Sequence, residues 1–188
     1  DFDLLVGGYS GSLNYYVNTG TSDNPAFGAA VSNPFGLTNA YEFAFITTAD
    51  LDNDGDIDLL VEEYYGDLLY FENTGTATTP AFAAVQANPF GLNTGSSFLD
   101  MPSFVDLDND GDFDIISCSI AYGGGPSMVY YENTGTSTNP AFAAQVADPF
   151  GITASAAYFQ NPTIADIDGD GDFDLLTAEN YGIFAYYE

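Results

Sequence analysis

The chain contains no lysine, no arginine and no histidine, against 28 aspartates and glutamates in 188 residues, for a formal net charge of -28. Ordinary globular sequences carry both signs. A surface without fixed cations repels nucleic-acid backbones and anionic lipid, so neither nucleic acid nor direct membrane insertion is expected. The same absence removes the usual general base, oxyanion clamp and phosphate clamp, and leaves no Ser or Cys with a His partner, so the chain is not expected to be an enzyme. A carboxylate pair that hydrolyses a glycoside would have to come from Glu62 and Glu63, or Glu42. Adjacent strand residues point to opposite faces, which keeps the first two apart, and all three are expected to be solvated surface charge. The single cysteine, Cys118, excludes an intrachain disulfide and is expected to be a buried thiol. There is no Asn-x-Ser/Thr acceptor site, no apolar run long enough to span a membrane, and no segment of sustained helical periodicity.

What is present is acid, arranged in a pattern. Three nine-residue loops run Asp50-Leu-Asp52-Asn-Asp54-Gly55-Asp56-Ile-Asp58, Asp106-Leu-Asp108-Asn-Asp110-Gly111-Asp112-Phe-Asp114 and Asp166-Ile-Asp168-Gly-Asp170-Gly171-Asp172-Phe-Asp174. Five carboxylates so close together repel one another unless a hard cation neutralises them, and the expected ion is Ca2+. Glycine at the sixth position permits the sharp turn that brings the ninth residue back toward the first. Positions one, three, five and nine are expected to bind by side chain, and position seven (Asp56, Asp112, Asp172) by its backbone carbonyl. The loops are not EF-hands, because their twelfth positions are Val61, Ser117 and Thr177 where that motif needs Glu.

Each loop belongs to a longer repeat. An aromatic strand ends in Asn-Thr-Gly-Thr (from Asn18, Asn73 and Asn133), followed by Pro-Ala-Phe (from Pro25, Pro80 and Pro140) and by Pro-Phe-Gly-Leu or Pro-Phe-Gly-Ile (from Pro34, Pro89 and Pro149). Spacings of 55 and 60 residues between the last prolines define units of nearly sixty residues, taken as 1–55, 56–111, 112–171 and a partial unit 172–188. The longer third unit takes up its extra residues around Gly123 to Gly125, an expected hairpin tip.

Within a unit, four short strands are expected. The first precedes the loop (Glu42 to Thr48, Phe98 to Val105, Tyr158 to Ala165), and the second leaves it (Leu59 to Tyr64, Ile115 to Ile120, Leu175 to Asn180). The third follows a hairpin (Leu68 to Glu72, Met128 to Glu132, Ile183 to Glu188), and the fourth begins at Ala26, Ala81 or Ala141. The chain is therefore read as all-β.

A loop of the form Asp-x-Asp-x-Asp-Gly-Asp-x-Asp at the entrance of a strand, on a repeat near sixty residues, resembles the FG-GAP and VCBS repeats. That resemblance implies calcium-bearing, four-stranded β-propeller blades, about three and a half of them here, in an extracellular or cell-surface setting. The Gly-Ala-Pro element of one of these families is absent, so integrin-like ligand recognition is not carried over. A structural or adhesive role, as an extracellular filament subunit for instance, is the expected function; a carbohydrate-binding lectin is the alternative. The paired aromatics Tyr15-Tyr16, Tyr70-Phe71, Tyr130-Tyr131 and Tyr186-Tyr187 would then serve as sugar platforms or, the favoured reading, as packing between blades.

Asp1-Phe2-Asp3-Leu4-Leu5 matches Asp172-Phe173-Asp174-Leu175-Leu176, so the first residues correspond to the end of a metal loop, with a partial site at Asp1 and Asp3. Self-assembly, or a longer parent chain, is expected to supply the missing strands at both ends.

Overall fold

A strand with apolar residues on both faces is stable only when both faces are covered. Asp58 to Glu62 reads Asp-Leu-Leu-Val-Glu and is buried at every position, which sets the architecture: sheets stacked one after another along the chain. The computed structural model describes residues 2–92, 97–98, 102–121, 126–152, 161–178, 182 and 184–188. Four antiparallel sheets follow in sequence order, none closed on itself.

The first sheet holds β1 (Leu4–Gly7), β2 (Leu13–Tyr16) and β3 (Val31–Ser32). The second holds β4 (Phe45–Ala49), β5 (Asp58–Glu62), β6 (Leu68–Phe71) and β7 (Gln86–Ala87). In the third, β8 (Ser97–Phe98) and β9 (Ser103–Val105) both pair with β10 (Asp114–Ala121), which pairs with β11 (Pro126–Tyr131) and through it with β12 (Val146–Ala147). The fourth holds β13 (Asn161–Ala165), β14 (Asp174–Ala178) and β15 (Phe184–Tyr187). The expected first strand at Phe98 to Val105 is thus two pieces. The tip at Gly123 to Gly125 and the residues from Tyr158 to Gln160 lie outside the described residues.

Alternation then assigns faces. Leu59, Val61 and Phe71 pack with Leu13, Leu37 and Ala40 of the first unit, whereas Leu60, Leu68 and Tyr70 pack with Ile115, Val129 and Tyr131 of the third. Tyr70, Phe71 and Tyr131 lie in these clusters and are inter-sheet packing, while Tyr130 is buried against Phe150 of its own unit. Each such side chain contributes about 1.5–3 kcal/mol by leaving water.

One sequence expectation is corrected. The fourth strands do not start at Ala26, Ala81 and Ala141 but five residues later, as two-residue strands. The Asn73 side chain is the reason: its Oδ1 accepts N–H groups from Gly75 (3.1 Å) and Ala81 (2.9 Å), curling the chain into a loop that pairs back through the isolated Asn73–Phe82 bridge. Asn18 and Asn133 repeat this.

The Pro-Phe-Gly turns join neighbouring units. Phe35, Phe90 and Phe150 sit at φ 60°, 58° and 57°, a left-handed conformation that costs a bulky residue about 1–2 kcal/mol. Two contacts offset it. Each ring lies edge-on to a tyrosine of its own unit, Tyr15, Tyr70 or Tyr130, at 5.0, 5.0 and 5.2 Å. The carbonyls of Phe35 and Phe90 accept the N–H of Phe82 and Phe142 in the next unit, both at 2.8 Å.

Candidate metal centre

The acidic loops lie between the first and second strands of their units, and each folds around its first aspartate. Asp50 accepts N–H from Asp54 and Gly55, both at 3.0 Å, and Asp54 accepts that of Asp56 at 3.1 Å. Gly55 has φ 97° with open space around it, so glycine is required there by conformation alone. Asn53 and Asn109 are also left-handed, at 57° and 63°, and the third loop uses Gly169 at the same place. This geometry brings the carboxylate oxygens of positions one, three and five together: in each of Asp50/Asp52/Asp54, Asp106/Asp108/Asp110 and Asp166/Asp168/Asp170, they lie within 4.8 Å of one another.

Position seven adds a buried carboxylate in two of the loops. Asp56 and Asp112 are buried, and the Oδ1 of each has no donor among the described residues. Burial first, then the neighbouring carboxylates Asp54, Asp52 and Asp50, pushes the Asp56 carboxyl up; burial and Asp110 do the same to Asp112. Asp172, in the third loop, is exposed. An orphaned buried carboxylate oxygen beside three converging carboxylates, with no nitrogen or sulfur donor, fits a hard divalent cation of the calcium type.

Position nine, expected to bind by side chain, lies outside these triplets and has a role that the motif alone does not reveal. Asp58 is 2% exposed and accepts three hydrogen bonds: Leu51 N at 3.1 Å, Tyr70 Oη at 3.0 Å and Asn73 N at 2.8 Å. Asp114 repeats the set with Leu107, Tyr130 and Asn133. Burial pushes the Asp58 carboxyl up to about 6, only partly offset by the Asn73 N–H and the Tyr70 hydroxyl. Burial and Asp58 together push the Tyr70 hydroxyl far above its usual range. Asp174 takes Ile167 N at 2.8 Å and Tyr186 Oη at 2.7 Å, and those bonds hold its carboxyl low. Asp3 accepts from Tyr15 Oη and from Asn18 N; Asp1 lies outside the described residues. The sequence marked these tyrosines as paired aromatics and these asparagines as turn residues, not as partners of the acidic loop, although an Asp-to-Tyr spacing of twelve recurs at Asp3, Asp58 and Asp174.

Two further expectations meet the structure here. Cys118 is buried, with its thiol 3.5 Å from the Met128 sulfur. Glu62 and Glu63 are not solvated charges: they are 0% and 9% exposed, and the Glu63 carboxylate accepts Tyr41 N at 3.0 Å from the segment arriving from the first unit.

Comparison with curated protein sequences gives no match. Among solved structures, the fold is similar to a chain of a mutant Tc holotoxin pore from Photorhabdus luminescens, at 18% identity and a TM-score of 0.50. The match covers 98% of this chain and 8% of that one, so the chain spans under a tenth of that relative's length. Among the described residues no helix is long and apolar enough to cross a membrane. The FG-GAP-like repeat model matches residues 50–117 and 106–177, taking in all three acidic loops. The chain belongs to the FG-GAP-like repeat family.

Proposed function

We propose that the chain is a non-enzymatic, calcium-stabilised module of propeller-type blades, displayed outside the cell and built into a larger assembly in which its role is structural or adhesive. The observation that carries this reading is the threefold recurrence of a carboxylate triplet with oxygens within 4.8 Å, two of the three set above an orphaned buried carboxylate oxygen. A bound divalent cation at each loop would supply charge neutralisation and ligand bonds; the protein's own groups position the oxygens and anchor the loop to the sheet. Millimolar calcium outside cells suits oxygen sites of this type. Coverage of a small part of a much longer chain in the toxin complex supports membership of a larger polypeptide or assembly. Equilibrium dialysis and calorimetry test the reading: three calcium ions bound per chain, and a melting temperature that falls sharply on chelation. Equal melting temperatures in excess calcium and excess chelator would refute it.

A lectin function has one observation in its favour. Tyr9, Phe43, Tyr64, Tyr65 and Tyr41 form a continuous array with successive centroids 4.6–5.5 Å apart, and Tyr9, Tyr41 and Tyr65 are more than half exposed. Exposed tyrosine faces flanked by carboxylates suit neutral sugars. Glycan-array binding abolished by Tyr9→Ala and Tyr65→Ala would establish it.

A further inference from the structure

Outside the acidic loops the chain gathers aromatic side chains at one place, and its backbone fixes them there. Residues 40–44 cross from the first unit to the second and are clamped on both sides. Toward the first unit, the N–H groups of Ala40, Phe43 and Ala44 reach the carbonyls of Gly11, Tyr9 and Gly8 at 2.9, 3.0 and 3.3 Å. Toward the second, the Glu42 carbonyl accepts Tyr64 N at 2.9 Å and the Glu63 carboxylate accepts Tyr41 N at 3.0 Å. Phe43, left-handed at φ 50°, is held between the Tyr9 ring, edge-on at 4.6 Å, and the Tyr64 ring, stacked at 5.5 Å. Tyr65 and Tyr41 continue the array, and Tyr9, Tyr41 and Tyr65 are 70%, 63% and 58% exposed. The carboxylates beside these rings have no counter-charge. Burial first, and then Asp67, pushes the Glu63 carboxyl up, and the Tyr41 N–H offsets this only in part. Asp67 is exposed, and Glu42 lies between Tyr41 and Phe43 in the chain. All three sit outside the acidic loops, so an ion bound there leaves them uncompensated, and the chain has no lysine, arginine or histidine to pair with them.

We propose that this patch is a docking site for an arginine-bearing segment of a partner protein, the guanidinium lying on a tyrosine face with its N–H groups toward the carboxylates of Glu63, Asp67 and Glu42. A guanidinium answers both features at once. It is planar and stacks on an aromatic ring, it is weakly hydrated and so gives up water readily, and its fork bonds a carboxylate with two donors. Lysine supplies the charge without the fork, and a neutral sugar supplies the stacking without the charge. The net charge of -28 favours the same partner at long range, drawing basic surfaces in and turning acidic ones away. No arginine of the chain itself competes for the site. Because the rings and the Tyr41–Glu63 bond are in place before binding, little ordering is left to be done on this side of the interface. The proposal rests on the adhesive reading of the chain and names the chemistry of what it adheres to.

The probe is a labelled Gly-Arg-Gly-Arg-Gly peptide titrated into the chain in saturating calcium, with its citrulline counterpart as an uncharged match of the same shape. At about 0.15 M salt, exposed charges more than roughly 8 Å apart are screened, which suppresses attraction by the acidic surface as a whole and leaves contact at the patch. The arginine peptide is expected to bind saturably, to shift the ring signals of Tyr41 and Tyr65 in NMR spectra, and to bind about tenfold more tightly than the citrulline peptide. Tyr41→Leu combined with Tyr65→Leu is expected to weaken it about fivefold or more, through the loss of two exposed aromatic faces, whereas Tyr65→Phe keeps the ring and is expected to bind like the parent. Both tyrosines are more than half exposed, so the double variant is expected to match the parent in melting and calcium stoichiometry, two readings that report separately on the metal loops. Equal affinity for the two peptides, equal affinity of parent and double variant, signal shifts confined to the acidic loops, or absence of binding would overturn the proposal. So would a neutral oligosaccharide that shifts the same tyrosine signals where the arginine peptide does not, a result that would leave the lectin reading standing.

Discussion

Tyr70 donates its hydroxyl to the buried Asp58 carboxylate at 3.0 Å, while its ring meets Phe90 edge-on at 5.0 Å. One residue thus ties the end of the acidic loop to the turn whose carbonyl holds the next unit. Tyr70→Phe keeps the ring contact and removes only the hydroxyl, leaving a buried carboxylate one donor short. The expected loss is about 1–3 kcal/mol, with Tyr15→Phe costing less because its partner Asp3 is exposed. Differential scanning calorimetry of the two variants in calcium checks the order.

Asp54→Ala separates the ion from the fold. Asp54 is exposed, and its Oδ1 makes one bond, to Asp56 N. In chelator the substitution also relieves repulsion, so its melting temperature should lie within a few degrees of the parent. In calcium it should melt lower, and titration calorimetry should count two ions where the parent binds three, since the loops lie in separate units.

Acidification should stabilise the chelated protein. The Asp58 carboxyl is raised to about 6 in the folded chain, so the fold holds its proton more tightly than the unfolded chain does. The stabilisation is fully present below the unfolded carboxylate value near 4, and is lost as pH rises through about 6. Asp114 and Asp56 shift in the same direction, whereas Asp174 shifts oppositely. Melting in chelator should therefore move upward from pH 7 to pH 5. In saturating calcium the trend should reverse, because protons compete with the ion for the same oxygens. Thermal melts at both pH values in both conditions decide it.

Gly36 and Gly151 occupy equivalent turns in unequal surroundings. A Cβ on Gly36 would sit 2.7 Å from the Phe82 carbonyl oxygen of the next unit, at φ 92°, while one on Gly151 would meet no described residue within 4 Å, at φ 77°. Gly151→Ala should cost about 1 kcal/mol, the conformational penalty alone, and Gly36→Ala more, since the junction must open. Chemical denaturation of the two variants provides the comparison.

The acidic loops were legible in the sequence because their chemistry is local. Carboxylate spacing, the Gly55 turn and the left-handed Asn53 are set within nine residues, so reading Asp50 to Asp58 sufficed to expect that the carboxylates of Asp50, Asp52 and Asp54 converge. The all-β class was legible for the same reason, since alternation and turn residues act over a few positions. The roles of Asp58, Tyr70 and Asn73 as one hydrogen-bonded cluster were not legible, because strand pairing is what brings positions 12 and 15 residues apart into contact. Likewise, no local rule places Phe142 against Phe90, leaves Phe150 bare, or buries Glu63 under Tyr41. Those outcomes depend on which sheet face lies against which neighbour, and only the stacking of whole units decides that, because the apolar area each contact hides exists only once the partner unit is in place.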